Sequence, residues 1–547
     1  MEEEKIQIEE KTTTVVEEIS ESKPKFGKRG RNALLIDLAI WIAMTAYFVA
    51  FVSLGSGKQG FGAGVVAYVF ISLRLLARHV SVSQVVYKPL GSVASSAGGA
   101  AGRVVSEKYR APVIGVVAFI LIAATSLLSK TTADNSIGYR IQSLLGIVVI
   151  LVAMTLLSHD RKNIPWYTVS TGLLIQYFIA LIVLKTQWGF DLFNYISRFL
   201  ANFLGFSHTG AVFIFGDFDN DNFAKSVFPA IVFFCSFIYI VYYWGGMQYI
   251  VAKMGWFFVR AMDTSGAESV VACASPFIGQ GENALLVAPF VEFMTRSEIH
   301  SIMTSGFATI AGSVLIYYLT IVPNQSTILT CCIMSIPAGL LLSKMRYPET
   351  EESLSKGDVK VPESNHKDAN FLHAASNGSA VGMQLVILIG GGLLAIISLY
   401  NCVDFVVGWL FAMINVFEYT TGKQQEISIA FLLSYVFAPV AWLVGMPGGE
   451  ARLAGKLMAT KMIINEFAAY KDLYDAIKAG TFSQRTVDLL SFALCGFANI
   501  GSIGIQIGAL GAIAPSRSAD FAELAVSAML TGTVATWMTA CVAGALM

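Results

Sequence analysis

GFATIAGS, residues 306–313, and GFANIGS, residues 496–502, are near-copies of one polar interruption, each set inside an apolar run of helical length. The second sits in SFALCGFANIGSIGIQIGAL, residues 491–510. Two glycines with a Thr or Asn and a Ser are a poor way to write a plain membrane helix. They are a good way to write a helix that breaks, because glycine allows both the break and a close backbone approach. Ahead of each copy lies a segment too interrupted to be an ordinary crossing, at about 266–295 and about 450–480. Each has a polar cluster around a glutamate: GQGEN at 279–283 with Glu282, and NEF at 465–467 with Glu466. Both read as re-entrant helical hairpins, which the membrane tolerates only where protein or a watery cavity satisfies the irregular backbone.

The rest of the chain supports a membrane setting. Of 547 residues, 55% are hydrophobic and 14% charged, against roughly 25% charged in soluble domains. The net charge is zero, so no bulk attraction to nucleic acid is implied. The apolar runs have the length of helices rather than of barrel strands. They place crossings near 34–54, 60–78, 112–129, 140–157, 165–185, 224–248, 300–320, 325–343, 383–412, 487–510 and 520–545. Stretches near 189–205 and 249–263 look interfacial, as does 428–446 on the outer side. The expected fold is an all-α polytopic membrane protein with about eleven crossings plus two re-entrant hairpins.

Lysine and arginine gather on alternate loops, from KPKFGKRGR before the first crossing to Lys344 and Arg346. That pattern puts the N-terminus in the cytoplasm and the C-terminus outside. The first hairpin then enters from the cytoplasm and the second from outside, so the repeats are inverted. Inverted repeats with broken helices meeting near the midplane mark secondary transporters, with substrate and coupling ion held at the breaks. Glu282 and Glu466 are the carboxylates placed deepest, where a charge costs roughly 2.5–3.5 kcal/mol or more. Lys461 is the candidate counter-charge for Glu466. Thr309, Asn499 and Ser502 are either site groups or ordinary helix-packing hydroxyls and amides. The seven cysteines lie in or beside apolar runs with no zinc spacing and read as small packing residues. Residues 1–32 read as a polar cytoplasmic tail, 33–111 as an N-terminal extension with two crossings and a basic loop, 112–248 as scaffold-side helices with an interfacial helix, 249–344 as the first repeat, 345–382 as a cytoplasmic linker and 383–547 as the second repeat. Of two glycosylation sequons, Asn324 falls outside and Asn377 inside.

At four motifs the resemblance becomes specific. ATKMIINEFAAY, 459–470, matches the concentrative nucleoside transporter signature (G/A)-x-K-x3-N-E-F-V-A-(Y/M/F) with Ala468 as the one departure. ALCGFANIGSIGI at 493–505, TIAGS at 309–313 and the GQxE turn at 279–282 also match. The resemblance covers about 112–545 and looks like a eukaryotic-type member of the family. It implies a homotrimer in the plasma membrane, with a static scaffold and a mobile, elevator-type transport domain, moving nucleosides inward with a cation and using no prosthetic cofactor. It further implies that Gln280, Gly281, Glu282 and Val314 meet the nucleobase, and that Glu466, Asn499 and Ser502 hold the ribose hydroxyls while Phe497 lines the pocket. The implied sodium ligands are Ser275, the Ile278 carbonyl, Thr309 and the Ile310 carbonyl. Two positions depart from the family pattern. Gly281 stands where Thr is common, and Ser275 stands where the sodium site uses Asn, which opens H+ coupling beside Na+ coupling and favours the proton. The rival classes are a symporter for another polar metabolite, an ion channel, and an intramembrane enzyme. No intramembrane arginine awaits a substrate carboxylate, the two hairpins are unlike a ring-lined pore, and no histidine is placed at mid-membrane for base or metal chemistry.

Overall fold

The computed structural model describes residues 41, 42, 44, 45, 107–129, 131, 135–216, 223–312, 314, 315, 318, 322, 325–353, 368–414 and 427–547. Among them every regular element is helical. The tail at 1–32, most of the crossing 34–54, all of the crossing 60–78 and the sequon Asn324 lie outside the described residues. Chain contacts divide the protein into Met1–Glu107 and Lys108–Met547. The second unit carries both copies of the repeat.

Three helices open it: α1 (Glu107–Leu128), α2 (Ile137–Leu156) and α3 (Trp166–Lys185). The amphipathic α4 (Gln187–Gly205) and short α5 (Ser207–Phe215) come next. One order of elements is then written twice. In the first copy a long helix, α6 (Phe223–Tyr243), turns by 80° into α7 (Gly246–Met262). Next come the hairpin pieces α8 (Gly266–Ala274), α9 (Gln280–Asn283) and α10 (Ala288–Val291), then α11 (Arg296–Ala308) and α12 (Gln325–Arg346). The second copy runs α13 (Phe371–Ile414), α14 (Ile429–Val444), then the hairpin α15 (Gly448–Ile463) and α16 (Glu466–Lys478). It closes with a broken helix, α17 (Gln484–Ala493) and α18 (Ile500–Ile513), and with α19 (Ser518–Leu546).

Helix α2 shows that the copies are inverted. Its 20 residues span about 30 Å at 1.5 Å per residue. At its start Arg140 donates to the Met547 carbonyl at 3.0 Å, and Ser143 to the Val444 carbonyl at 2.7 Å. Gln142 donates to the carbonyls of Trp442 and Met446. Just past its far end the His159 amide donates to the Arg346 carbonyl at 2.9 Å, and the His159 ring stacks on Tyr347. The base of hairpin 2 is tied to the first end. Buried Arg485 donates to the carbonyls of Gly445 (2.8 Å) and Gly544 (3.0 Å) and to the Ser143 hydroxyl (3.2 Å). The base of hairpin 1 is tied to the other end. There Lys344 pairs with buried Glu268 at 2.9 Å, and Ser297 donates to the Tyr347 carbonyl at 2.7 Å. The hairpins therefore enter from opposite ends of one rod.

Local sequence explains the hairpin edges. Ser265 and Glu268 form a reciprocal capping box at the start of α8, and Thr295 and Glu298 form another at the start of α11. Each satisfies two orphan N–H groups that have no water to meet. Both boxes are written in the sequence as S-x-x-E and T-x-x-E spacings. Helices α6 and α13 pack side by side, because Gly378 and Gly382 remove side chains where backbones meet. A Cβ on Gly378 would stand 2.7 Å from the Cys235 carbonyl oxygen, and one on Gly382 2.8 Å from the Val232 Cα. This is small-residue packing typical of membrane helices. Much of the remaining face of α13 is exposed apolar surface, including Ile387, Leu394, Phe405 and Trp409. The largest buried cluster gathers α2, α3, α12, α17 and α19, and α6 adds Val227, Ile231 and Cys235 to it.

Several expected boundaries move. Six described helices are long and apolar enough to cross a membrane, and α6 with α7 and α14 with α15 form bent pairs. The expected crossing at 224–248 ends at Tyr243, where the left-handed Gly245 (φ 74°) starts the bend. The linker at 345–382 is shorter than expected, since α13 begins at Phe371. Its glycines and Ser379 disguised the first turns as loop. The crossings 300–320 and 487–510 are not continuous. Helix stops at Ala308 and is helical again at Gly312, Val314 and Leu315. It stops again at Ala493 and restarts at Ile500.

Candidate substrate and ion site

The two copies of the motif meet at their breaks. The Phe497 amide, in the second, donates to the Thr309 carbonyl, in the first, at 3.2 Å. The contact needs glycine. Gly496 has φ 149°, and a Cβ there would lie 2.9 Å from the Phe307 carbonyl oxygen. Gly532 of α19 gives the same room from the other side, since its Cβ would lie 2.6 Å from the Phe307 Cβ.

On the second-repeat side, two helices start at the break with asparagine caps. Asn465 accepts from the Ala468 amide at 2.9 Å and starts α16. Asn499 accepts from the Ser502 amide at 2.8 Å and starts α18. Asn is among the best N-caps. Each cap leaves its helix's positive end facing the break. Glu466, the first residue of α16, stands between them. Its Oε2 accepts from Asn499 Nδ2 at 2.9 Å, and both residues are almost wholly buried. One side chain thus caps a helix with its oxygen and orients a carboxylate with its nitrogen. Ser502 is buried on the same helix, and Phe497 is half-buried against the core. The rings of Phe467 and Tyr470, from the signature, pack on Tyr318 of the first repeat at 5.6 and 4.5 Å.

Lys461 directs its ammonium toward the end of α17 rather than into a hydrogen bond with Glu466. Its Nζ donates to the Ala493 carbonyl at 3.2 Å and to the Thr536 hydroxyl oxygen at 3.1 Å. Ala493 ends α17, so the ammonium sits on a carbonyl that the break has freed. A cation at a helix C-terminus is favourable for both the hydrogen bond and the dipole.

On the first-repeat side, the turn before α9 lies against the break after α11. A Cβ on Gly279 would be 3.8 Å from the Ala311 Cβ, and one on Gly312 would be 3.2 Å from the Phe277 carbonyl oxygen. Ile278, Thr309, Ile310 and Val314 are all buried here. Thr309 donates its hydroxyl to the Ser305 carbonyl at 3.0 Å, and Ser275 donates to the Val271 carbonyl at 2.8 Å. Ser275 also accepts from Asn283 Nδ2 at 2.9 Å, which leaves Asn283 Oδ1 buried with no partner. Gln280 Oε1 is likewise buried and without a partner. Gly281 and Glu282 lie in α9, and the Glu282 side chain lies outside the described residues. Sequence reasoning missed Asn283. Its signal was its position inside the polar cluster GQGEN, one residue beyond the glutamate.

Comparison with known proteins places this geometry. Three family profiles match in order: "Na+ dependent nucleoside transporter N-terminus" over 145–218, "Nucleoside recognition" over 224–324, and "Na+ dependent nucleoside transporter C-terminus" over 327–544. The chain is 38% identical over 415 residues to solute carrier family 28 member 3 of Mus musculus, covering 73% of this chain and 58% of that one. It is 34% identical over 421 residues to sodium/nucleoside cotransporter 1 of the same organism, covering 74% of this chain and 64% of that one. It is 37% identical over 406 residues to the uncharacterized transporter YutK of Bacillus subtilis (strain 168), covering 73% of this chain and 98% of that one. The chain therefore spans a little under two thirds of the length of the animal relatives. Among solved structures it is similar to CNTnw in an inward-facing substrate-bound state, with TM-score 0.68 and 34% identity over 75% of this chain and 98% of that one. A CNTnw variant in an outward-facing state gives TM-score 0.69 and 34% identity over 75% and 97%. With hairpins entering from opposite ends, glycine-broken helices that touch, and these matches across 145–544, the chain belongs to the concentrative nucleoside transporter family.

Proposed function

We propose that the chain is a nucleoside:cation symporter that carries nucleosides into the cell by alternating access. The observation that carries this reading is the Glu466–Asn499 pair at two capped helix starts. A ribose diol presents O–H donors, and a buried carboxylate fixed by one amide accepts them strongly. In this reading Glu466, Asn499 and Ser502 hold the ribose hydroxyls and Phe497 closes the pocket wall. Gln280, Gly281, Glu282 and Val314 meet the base across the break.

The coupling cation belongs at the first-repeat break, among Ser275, the Ile278 carbonyl, Thr309 and the Ile310 carbonyl. The repeat supports this placement. In the second copy the freed carbonyl at the break is met by the ammonium of Lys461. In the first copy the described residues around Thr309 supply hydroxyls and carbonyls. A free cation there would do what Lys461 does in its counterpart. Sodium is the ion that the family description names, and oxygen ligands suit it. Proton coupling keeps its own support, since the Ser275 hydroxyl is already engaged by Val271 and Asn283. Thr309 links ion to substrate, because its hydroxyl lies on the ion side while its carbonyl holds the Phe497 amide. Such a shared residue lets one ligand bias the other's site, which coupling requires.

The α6–α13 pair, whose helices pack side by side through Gly378 and Gly382, is assigned to the scaffold, and the exposed apolar face of α13 is assigned as the contact between copies in a homotrimer. The two hairpins and their partner helices form the moving, elevator-type body. The protein is placed in the plasma membrane with its N-terminus inside and C-terminus outside. Uptake of uridine and adenosine by cells lacking their own nucleoside transport, in sodium or choline and at neutral or acidic pH, tests the reading. Stimulation by sodium assigns the ion as sodium; stimulation by acid without sodium assigns it as the proton. Wild-type uptake by Glu466→Gln at normal surface level would overturn the ribose assignment.

A further inference from the structure

Helix α18 buries three residues, Ser502, Gln506 and Leu510. Spacing of four puts them on one face. Ser502 belongs to the proposed ribose site. Gln506 stands one turn further on, about 6 Å along the axis, and no role has been given to it. It is fully buried, yet neither its Oε1 nor its Nε2 has a hydrogen-bond partner. Buried side-chain amides with both ends unmet are rare, and each calls for an explanation.

The neighbourhood supplies one. Helix α9 packs against α18. Gly306 of the first motif lies beneath both, since a Cβ there would stand 3.1 Å from the Gln280 Cβ and 3.2 Å from Gln506 Oε1. The two glutamine side chains therefore converge over a glycine that leaves them room. Gln280 Oε1 is also buried and unmet. The same motif letter thus serves different ends in the two copies: Gly496 supplies an unusual backbone angle, and Gly306 supplies space.

We propose that Gln506 is a specificity-determining residue that reads the hydrogen-bonding edge of the nucleobase opposite Gln280. The inference rests on the nucleoside reading above. A carboxamide presents one donor and one acceptor side by side. That pattern complements a ring edge carrying an adjacent carbonyl and N–H, as uracil does. With the ribose fixed at Glu466, Asn499 and Ser502, the base extends along the α18 face toward Gln506. A base without such an edge would leave both ends of the amide as they stand now, unmet and buried.

The test uses the full-length protein in proteoliposomes. Uridine uptake is measured, together with its inhibition by ribosylbenzene, which keeps ribose and ring but has no polar edge. For Gln506→Met the uridine KM should rise about tenfold while the inhibition constant of ribosylbenzene stays within about twofold, the loss confined to the ligand that has an edge to read. Gln506→Glu, which keeps the shape but offers acceptors only, should shift preference about tenfold from uridine toward cytidine, whose amino group donates. Equal losses for uridine and ribosylbenzene, or an unchanged uridine KM with no shift toward cytidine, would overturn the proposal by making Gln506 a packing residue. A wild-type protein that moves adenosine but neither uridine nor cytidine overturns this inference and keeps the nucleoside reading; one that moves none of the three overturns both.

Discussion

Asn499→Ser separates two functions that one side chain now performs. Serine caps a helix about as well as asparagine, so the bond to the Ser502 amide is kept in kind. What is lost is the Nδ2 donor that holds Glu466 Oε2 at 2.9 Å. A hydrogen bond to a charged group contributes about 1.5–3 kcal/mol. At 1.36 kcal/mol per decade, the expected fall in kcat/KM for uridine is roughly tenfold to a hundredfold. Thermal stability should change little, because the cap survives. The assay is initial-rate uridine uptake in proteoliposomes, with 2′,3′-dideoxyuridine alongside. The dideoxy compound presents no diol to Glu466, so its uptake should fall much less. A double-mutant cycle with Glu466→Gln completes the case, since groups in direct contact couple. Once the carboxylate is gone, the serine substitution should cost less than it does in the wild type, the remainder being Asn499's own contact with the ribose. Additive losses in the cycle, or equal losses for uridine and its dideoxy analogue, would refute the claim that Asn499 works by orienting Glu466.

Three further outcomes come from the same geometry. Lys461→Met removes two charge-assisted bonds, to the Ala493 carbonyl and the Thr536 hydroxyl; a loss of about 3–6 kcal/mol should appear as a lower melting temperature in detergent, with Thr536→Val costing less. Gly496→Ala combines a left-handed backbone angle with an approach of 2.9 Å to the Phe307 carbonyl oxygen; strain of about 1–3 kcal/mol should lower stability and abolish uptake, whereas Gly448→Ala, in open space, should leave both intact. Arg485→Met strips the carbonyls of Gly445 and Gly544 of a donor at once; two buried acceptors left unmet cost about 2–6 kcal/mol together, which should leave little folded protein on size-exclusion chromatography.

Much of this architecture was legible because membranes punish ambiguity. The apolar spans at 111–128, 137–156 and 166–185 could be read to within about three residues from apolar length alone. The breaks at Thr309 and near Gly496 were legible because glycine and polar residues inside apolar runs have few other uses. The meeting of those breaks was not, since it is a long-range contact between backbone groups and leaves no residue type behind. Lys461 was legible only in part: it lies near enough to Glu466 to act on it electrostatically, but it makes its hydrogen bonds elsewhere. Its neighbour in the signature is Glu466, but the group it meets is a carbonyl from a different helix. The start of α13 was hidden because Gly378 and Gly382, which read as a linker, serve packing against α6. Lys344 was read only as a loop charge that sets orientation and Glu268 had no reading at all, although both are buried at the base of hairpin 1.

The lysine at the second break has an electrical consequence. The ammonium of Lys461 balances the carboxylate of Glu466, so this half of the site carries no net charge through the field of the membrane. A nucleoside is neutral too. In the proposed symporter the membrane potential, about 2.3 kcal/mol per elementary charge per 100 mV, therefore acts through the mobile ion at the first break and not through this pair. Voltage should then hasten the inward stroke of the loaded carrier. The lysine half, already balanced, adds no voltage dependence to the return of the empty one.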